Sequence, residues 1–245
     1  MAKKKSRRKQ SSQSRPTRPM RRGSRRPQSS GFGKFIPYAL VGGVGVAIVA
    51  ALFFVTAGGG GAGAHPVGYE PPTLGAAEAP VEFVLWEDFQ CPFCKRFEIE
   101  TFPALEEQFV DSGEVRFVWR NFQRYGSEST DAGIAAYCAG EQGQFWEFKD
   151  VAFEAAGGIQ SGVFTVDNLR GFAIDLGLDI AAYEDCFNNN GAFYLDAMRA
   201  DRALARTQGV AGTPAFFING QLVSGAQPTS TFEAFISNAL NEARQ

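Results

Sequence analysis

Residues 81–97 read VEFVLWEDFQCPFCKRF, and this stretch decides the fold. Its first nine residues are an apolar run of strand length, rich in β-branched and aromatic side chains. Gln90-Cys91-Pro92 then turns the chain, and Pro92 suits the first position of a helix, where its missing N–H costs nothing. The pattern predicts a strand over 81–89 and a helix from Pro92 through Phe97, kinked or restarted at Pro103 and ending near Val110. Cys91 falls at the helix start, where unpaired backbone N–H groups and the helix dipole favour a thiolate. Cys94 lies one turn later, close enough to close or resolve a disulfide. The attacking species is the thiolate, so the spacing predicts thiol–disulfide redox chemistry with Cys91 as an exposed nucleophile and Cys94 as a more buried resolving thiol. The competing reading is a zinc half-site. It would want a second C-x-x-C or C-x-x-H, whereas Cys138 and Cys186 stand alone.

Working outward, Asp111-Ser112-Gly113 reads as a turn and Glu114–Phe122 as a second strand. Helical periodicity follows over Thr130–Gly140, Gln144–Glu154, Val166–Leu176, Ile180–Asn188 and Ala192–Gln208. After Gly212-Thr213-Pro214, AFFINGQLVSG reads as two short strands joined across Asn219-Gly220, a type I′ hairpin signal. Phe232–Ala243 closes the chain as an amphipathic helix. The order implies an α/β fold with a helical insertion between two sheet-forming halves.

At this point the sequence resembles a known family. DFQCPFCKRF (88–97) together with GVAGTPAFFINGQLVSGAQP (209–228) is similar to the DsbA-like, thioredoxin-fold thiol-disulfide oxidoreductases of bacterial cell envelopes, and AAYCAGEQGQFWEF (135–148) is also typical of them. The resemblance covers residues from about 66 to 243. It implies a thioredoxin fold whose helical subdomain, about 125–208, follows the second strand. It also implies a cis bond before Pro214 that faces the cysteine pair, and a Thr213 that contacts substrate backbone and influences redox poise. An X-Pro bond is where the cis form costs only about 0.5–1 kcal/mol.

Two departures from the family stand out. Its strong oxidants carry His between the cysteines, where this chain has Phe93, which cannot stabilise a thiolate by hydrogen bonding. The expected potential is therefore less oxidising than theirs. Many relatives also hold a buried acid six residues before the first cysteine, and that position is Leu85 here. Glu87 shares the strand face of Leu85 and is the candidate proton acceptor for the resolving thiol, Asp88 lying on the other face. The plain alternative is that both acids are solvated at the strand end.

The N-terminal part sets the compartment. Of 24 Lys and Arg residues, 13 lie in residues 1–34, which hold no acid, leaving 11 basic and 26 acidic side chains in the rest. Residues 1–34 read as a basic, disordered tail, since too little apolar surface is available to offset ordering. Phe35–Ala57 is a 23-residue run without charge. As a helix it is roughly 34 Å long, enough to span the hydrocarbon core. The positive-inside rule places the tail in the cytoplasm and residues after 57 outside. A cleaved signal ending at Ala62-Gly63-Ala64 competes, but the long apolar run and long basic region favour an uncleaved anchor. Residues 58–80 read as a Gly/Ala/Pro-rich tether, and 81–245 as the folded domain.

In such a compartment, Cys138 and Cys186 are expected to form a structural disulfide; two free thiols and an electron relay are the competing readings. The single histidine, His65, argues against a Ser-His-Asp triad or a His-ligated metal. No metal or cofactor is expected beyond the redox-active disulfide. Phe93, between the cysteines, is the aromatic expected to be exposed. The reading as a whole is a membrane-tethered, extracytoplasmic enzyme that forms disulfides in unfolded or reduced exported proteins. By resemblance, a membrane partner like DsbB or the vitamin-K-epoxide-reductase-like proteins restores it. The lipid bilayer is a partner and nucleic acid is not. A reductase or isomerase of the same fold, or a peptide-binding chaperone module, is the alternative.

Overall fold

The computed structural model describes residues 64–245. The basic tail over 1–34, the membrane span over 35–57 and the first part of the tether lie outside the described residues. At the centre is a mixed sheet of β1 (Thr73–Leu74), β2 (Val81–Glu87), β3 (Val115–Asn121), β4 (Ala215–Ile218) and β5 (Gln221–Ser224). Their spatial order is β1-β3-β2-β4-β5. Only β2 and β3 pair in parallel, with Val81 opposite Val115 and Glu87 opposite Asn121. Parallel neighbours need a crossover, which α1 (Pro92–Glu100) and α2 (Phe102–Phe109) supply. The two helices part at Thr101, because Pro103 cannot continue a helix but suits the first turn of the next. In the β4–β5 hairpin, Asn219 and Gly220 have φ of 45° and 83°, as a type I′ turn requires.

Between β3 and β4 lie α3 (Ser127–Gly140), α4 (Phe145–Ala155), α5 (Val166–Asp175), α6 (Ile180–Asp185), a π-helical turn (Cys186–Asn190) and α7 (Gly191–Thr207). Helix α8 (Thr229–Ala243) ends the chain. This is a thioredoxin-like α/β fold with a helical insertion. Alternation along β2 puts Val81, Phe83, Leu85 and Glu87 on one buried face. There Phe83, Phe97, Phe216 and Phe232 interlock with ring centroids 4.4–5.7 Å apart, fixing α1 and α8 to the sheet. Deleting one such ring costs about 3–5 kcal/mol, so the position of α1 is firmly determined. Trp86, on the opposite face, packs with Phe122, Ala205, Val210 and Ala215.

One expectation changes. The tether read over 58–80 is, in its latter part, built into the fold. β1 extends the sheet beside β3, Tyr69 is buried, and Trp119 N–H donates to Pro72 O at 2.9 Å. His65 Nε2 lies 2.7 Å from Oδ1 of Asp201, a buried carboxylate of α7 that also accepts from Arg120 Nη1 at 3.0 Å and from Asn121 N–H at 3.1 Å. With Tyr69 and Leu74 isolated among Gly, Pro and Ala, this segment has no periodicity to read. No helix among the described residues is long and apolar enough to cross a membrane; the expected span lies outside them.

Candidate active site

Cys91 is the N-cap of α1, in extended backbone (φ −76°, ψ 118°), with Pro92 following at the helix start. Its N–H donates to Asp88 O at 3.0 Å, closing the turn that carries the chain from β2 into α1. Cys94 lies one turn on, fully buried, and the two cysteines are free thiols. The Thr213–Pro214 peptide bond is cis, and the Cys91 thiol donates to Thr213 O at 3.4 Å. The fold therefore brings Cys91, Cys94, Thr213 and Pro214 together across 122 positions of sequence. Phe93, between the sulfurs in sequence, is 55 % exposed, with the Arg96 guanidinium 5.4 Å from its ring centroid.

The two thiols are driven apart in acidity. A hydrogen bond from the Cys94 thiol lowers the Cys91 pKa to about 6, against the opposing effect of burial. The Thr213 side chain and the N–H groups of Cys94 and Phe93 contribute to the same lowering. Thr213 Oγ1 is buried with no other protein partner, so it is available to donate once the sulfur ionises. Burial pushes Cys94 well up, and its hydrogen bond to Cys91 and the nearby Glu87 charge add to that. One sulfur is thus a thiolate and the other a thiol at neutral pH. The expectation of an exposed Cys91 is corrected: the residue is only 1 % exposed, because the turn, Thr213 and the chain after α4 enclose it.

Glu87 and Asp88 are both buried, which removes the solvated strand-end alternative. They do different things. Asp88 Oδ1 accepts from Gln90 N–H at 2.8 Å and from Ser129 Oγ at 2.7 Å, and its Oδ2 accepts from Arg124 N–H at 2.5 Å. It ties the redox turn to the start of the insertion. Glu87 lies on the face of Leu85, as strand alternation requires. Burial pushes its pKa well up, and the neighbouring Glu98 adds to this; Lys149 opposes the shift. Glu87 and Cys91 share one enclosed region, where ionising either one makes the ionisation of Cys94 harder.

Sequence reasoning missed Glu98 and Lys149. Glu98, one turn after Cys94 on α1, is buried and ion-paired with the buried Lys149 of α4. Lys149 also lies 3.0 Å from Asp150 Oδ1 and 4.2 Å from the Phe102 ring centroid. Burial alone would lower its pKa, but Glu98 and Asp150 outweigh it and hold the ammonium charged. A signal was present in FWEFKDVAF: Lys149 stands four residues from both Phe145 and Phe153, on the apolar stripe. Cys138 and Cys186 are joined in a disulfide that pins α3 to the π-helical turn. Among the described residues, no group of three or more His, Cys, Asp or Glu side chains is placed to hold a metal ion.

The chain is similar to known proteins. The thioredoxin family model matches residues 69–238. The Na(+)/H(+) antiporter NhaA 1 of Salinispora arenicola is 32 % identical over 174 residues, which cover 69 % of this chain and 25 % of the antiporter. Disulfide bond formation protein D of Bacillus subtilis is 35 % identical over 85 residues, 34 % of this chain and 38 % of that protein. The chain therefore spans about a quarter to two fifths of the length of these curated relatives. Among solved structures, oxidised BdbD from Bacillus subtilis superposes with a TM-score of 0.63 at 24 % identity, covering 70 % of this chain and 93 % of BdbD. At that identity the likeness speaks for the fold.

Proposed function

The chain belongs to the thioredoxin family, and from that premise we propose that it is a DsbA-like thiol-disulfide oxidoreductase working through Cys91 and Cys94. The observation that carries this is the split pair: a thiol of pKa about 6 at a helix N-terminus, against the Thr213–Pro214 loop, with a high-pKa thiol one turn behind it. Likeness to disulfide bond formation protein D supports disulfide formation as the direction.

In that reaction a substrate thiolate attacks Cys91 Sγ of the oxidised pair. The Cys91–Cys94 bond breaks, a mixed disulfide forms, and Cys94 leaves and takes up a proton; in this reading Glu87 supplies it, a role its burial and raised pKa support. A second substrate thiolate then attacks the substrate sulfur and expels Cys91 as a thiolate. Two electrons have passed to the enzyme dithiol, and the substrate holds a disulfide. The low pKa of Cys91 makes it the better leaving group in that second step. The Thr213 carbonyl, already in reach of the sulfur, and the Pro214 loop supply the surface for substrate backbone.

The wider assignment is a membrane-tethered protein. Residues 35–57 serve as anchor, the 1–34 tail lies in the cytoplasm, and the domain acts outside on exported polypeptides, reoxidised by a membrane redox partner. The 23-residue uncharged run and the charge bias of the tail support it. The deciding measurement is the Cys91–Cys94 potential against glutathione, paired with the redox state in cells. A mostly oxidised pair is expected; a mostly reduced one makes the protein a reductase. Function retained in Cys91→Ser would instead favour a peptide-binding chaperone.

A further inference from the structure

Cys91 is enclosed, yet a cavity reaches it. It lines a cavity of 230 Å³ whose other walls are Gln90, Pro92, Lys95 and Ala156–Gly158. The far wall is the start of a loop, AGGIQSG over 156–162, that leaves α4. Gly158, Gln160 and Gly162 have φ of 111°, 51° and 79°, so the loop is shaped by left-handed backbone that other sequences rarely adopt. Two side chains beside the cysteines bond to this loop, one on each side of the pair; Gln160 Nε2 also donates to Tyr125 O, and Glu128 and Asn168 bond Gly162 at its far end. Gln90, just before Cys91, accepts from Gln160 N–H at 2.5 Å through Oε1. Its Nε2 donates to Tyr125 O at 3.0 Å and Ser129 Oγ at 2.7 Å, anchoring it to the insertion. Lys95, just after Cys94, donates through Nζ to Ala156 O at 2.7 Å and Glu154 O at 3.0 Å. Ile159, at the middle of the loop, is 51 % exposed and free of the core.

Resting on the redox assignment, we infer that loop 156–162 is a latched cap over Cys91, and that the cavity beneath it is the entry subsite for the polypeptide flanking a substrate cysteine. A cysteine in a protein arrives with extended chain on both sides, so it needs more room beside Cys91 than a small thiol does. The Gly157–Gly158 wall has no side chain to oppose that chain, and a Cβ built on Gly158 would meet nothing within 4 Å. Gln90 and Lys95 hold the end of the loop that faces Cys91, while Glu128 and Asn168 tie its far end at Gly162 to the insertion. Because both latches are neighbours of the cysteines themselves, opening the cap and engaging the nucleophile occur at the same end of α1. Gln90 and Lys95 are thus positioning residues that set the size of substrate admitted.

The test compares two alkylating reagents on Cys91 of the reduced full-length protein: iodoacetamide and a maleimide carrying a long poly(ethylene glycol) chain. The ratio of the two rates, taken relative to free cysteine, cancels any change in thiolate fraction. In the wild type the bulky reagent is disfavoured. Lys95→Met and Gln90→Ala each restore it by about tenfold, as loss of one or two hydrogen bonds implies, and Lys95→Arg keeps the discrimination. Circular dichroism confirms that each variant is folded, and Lys95→Met, at a more accessible position, stands alone if Gln90→Ala unfolds. An unchanged ratio in Lys95→Met overturns the cap. Failure of wild-type Cys91–Cys94 to exchange with glutathione disulfide overturns the redox assignment instead, so the two failures are distinguishable.

Discussion

The Phe93 side chain offers the Cys91 sulfur neither charge nor hydrogen bond, so the thiolate depends on the Cys94 thiol, the Thr213 side chain and the backbone N–H groups of Phe93 and Cys94. Those groups bring its pKa to about 6, which makes the thiolate the major form at pH 7 by roughly tenfold. Ultraviolet absorbance of the thiolate is expected to titrate near that value. Phe93→His adds a donor at the exposed position and lowers the midpoint further. It should also make the potential more oxidising, by about 30 mV for each tenfold gain in stabilising the reduced form. The wild type should then lie well below the roughly −120 mV of the strongest oxidants. An unchanged potential in Phe93→His removes this residue from the control of poise. Glu87 makes a separate prediction, from linkage. Its folded pKa is well above the ordinary 4.5, so above about pH 4.5 the folded state holds a proton that the unfolded state has released. Its contribution to stability therefore falls as pH rises through that window. Glu87→Gln, neutral throughout, should gain stability relative to wild type, by a margin that is small below about pH 4.5 and grows toward neutrality. Denaturant titrations across pH measure this, and a margin independent of pH sinks it. The same variant should flatten the pH–rate profile of the Cys94 step.

Helix α1 carries the site, and it is held from three directions. The aromatic cluster ties it to the sheet and α8, the Glu98–Lys149 pair to α4, and Gln90 and Lys95 link its start to the cap loop. The strand–turn–helix at 81–100 was legible because two local signals agree there, an apolar run of strand length and Pro92 at a helix start. The hairpin was legible from Asn219-Gly220 alone. Glu98 with Lys149 was not, because the pairing spans 51 positions and a carboxylate at one helical turn from Cys94 looks like any solvated Glu until its partner is known. The exposure of Cys91 was misread for the same reason: what encloses it arrives from Thr213 and from residues 156–158, far along the chain. The π-helical turn at Cys186–Asn190 departs from the single helix read over Ile180–Asn188, and the disulfide joins α3 at that turn. Cys138→Ala with Cys186→Ala frees a loop of 48 positions, which the chain-entropy argument puts at about 4 kcal/mol of lost stability. Urea unfolding of the double variant is expected to show that loss while the Cys91–Cys94 exchange rate with glutathione persists; loss of exchange in folded protein would make the second pair a relay.

At the scale of the whole molecule, the segment between the expected anchor and β2 is the part that composition least revealed. Gly, Pro and Ala suggested a flexible tether, yet residues 65–74 place an imidazole, a phenol and an edge strand on the fold. The reason lies in partners outside the segment. Asp201 is fully buried and gathers His65, Tyr69, Arg120 and Asn121 N–H around one carboxylate, and His65 stacks on Tyr69 with ring centroids 5.0 Å apart. A buried charge left short of partners is costly, so this cluster turns the N-terminal segment into part of the stability of the domain. A fragment starting at residue 81 removes two of the four donors and uncovers the β3 edge, whereas one starting at residue 64 keeps them. Hydrogen bonds to a charged group contribute about 1.5–3 kcal/mol each, so the shorter fragment should be less stable by at least about 3 kcal/mol. For a domain of this size that lowers Tm by roughly 6–12 °C. Asp201→Asn in the longer fragment should reproduce part of the loss, and in the shorter fragment should cost less, because fewer donors remain to be disappointed. Equal melting temperatures for the two fragments would return 64–80 to the role of a plain tether.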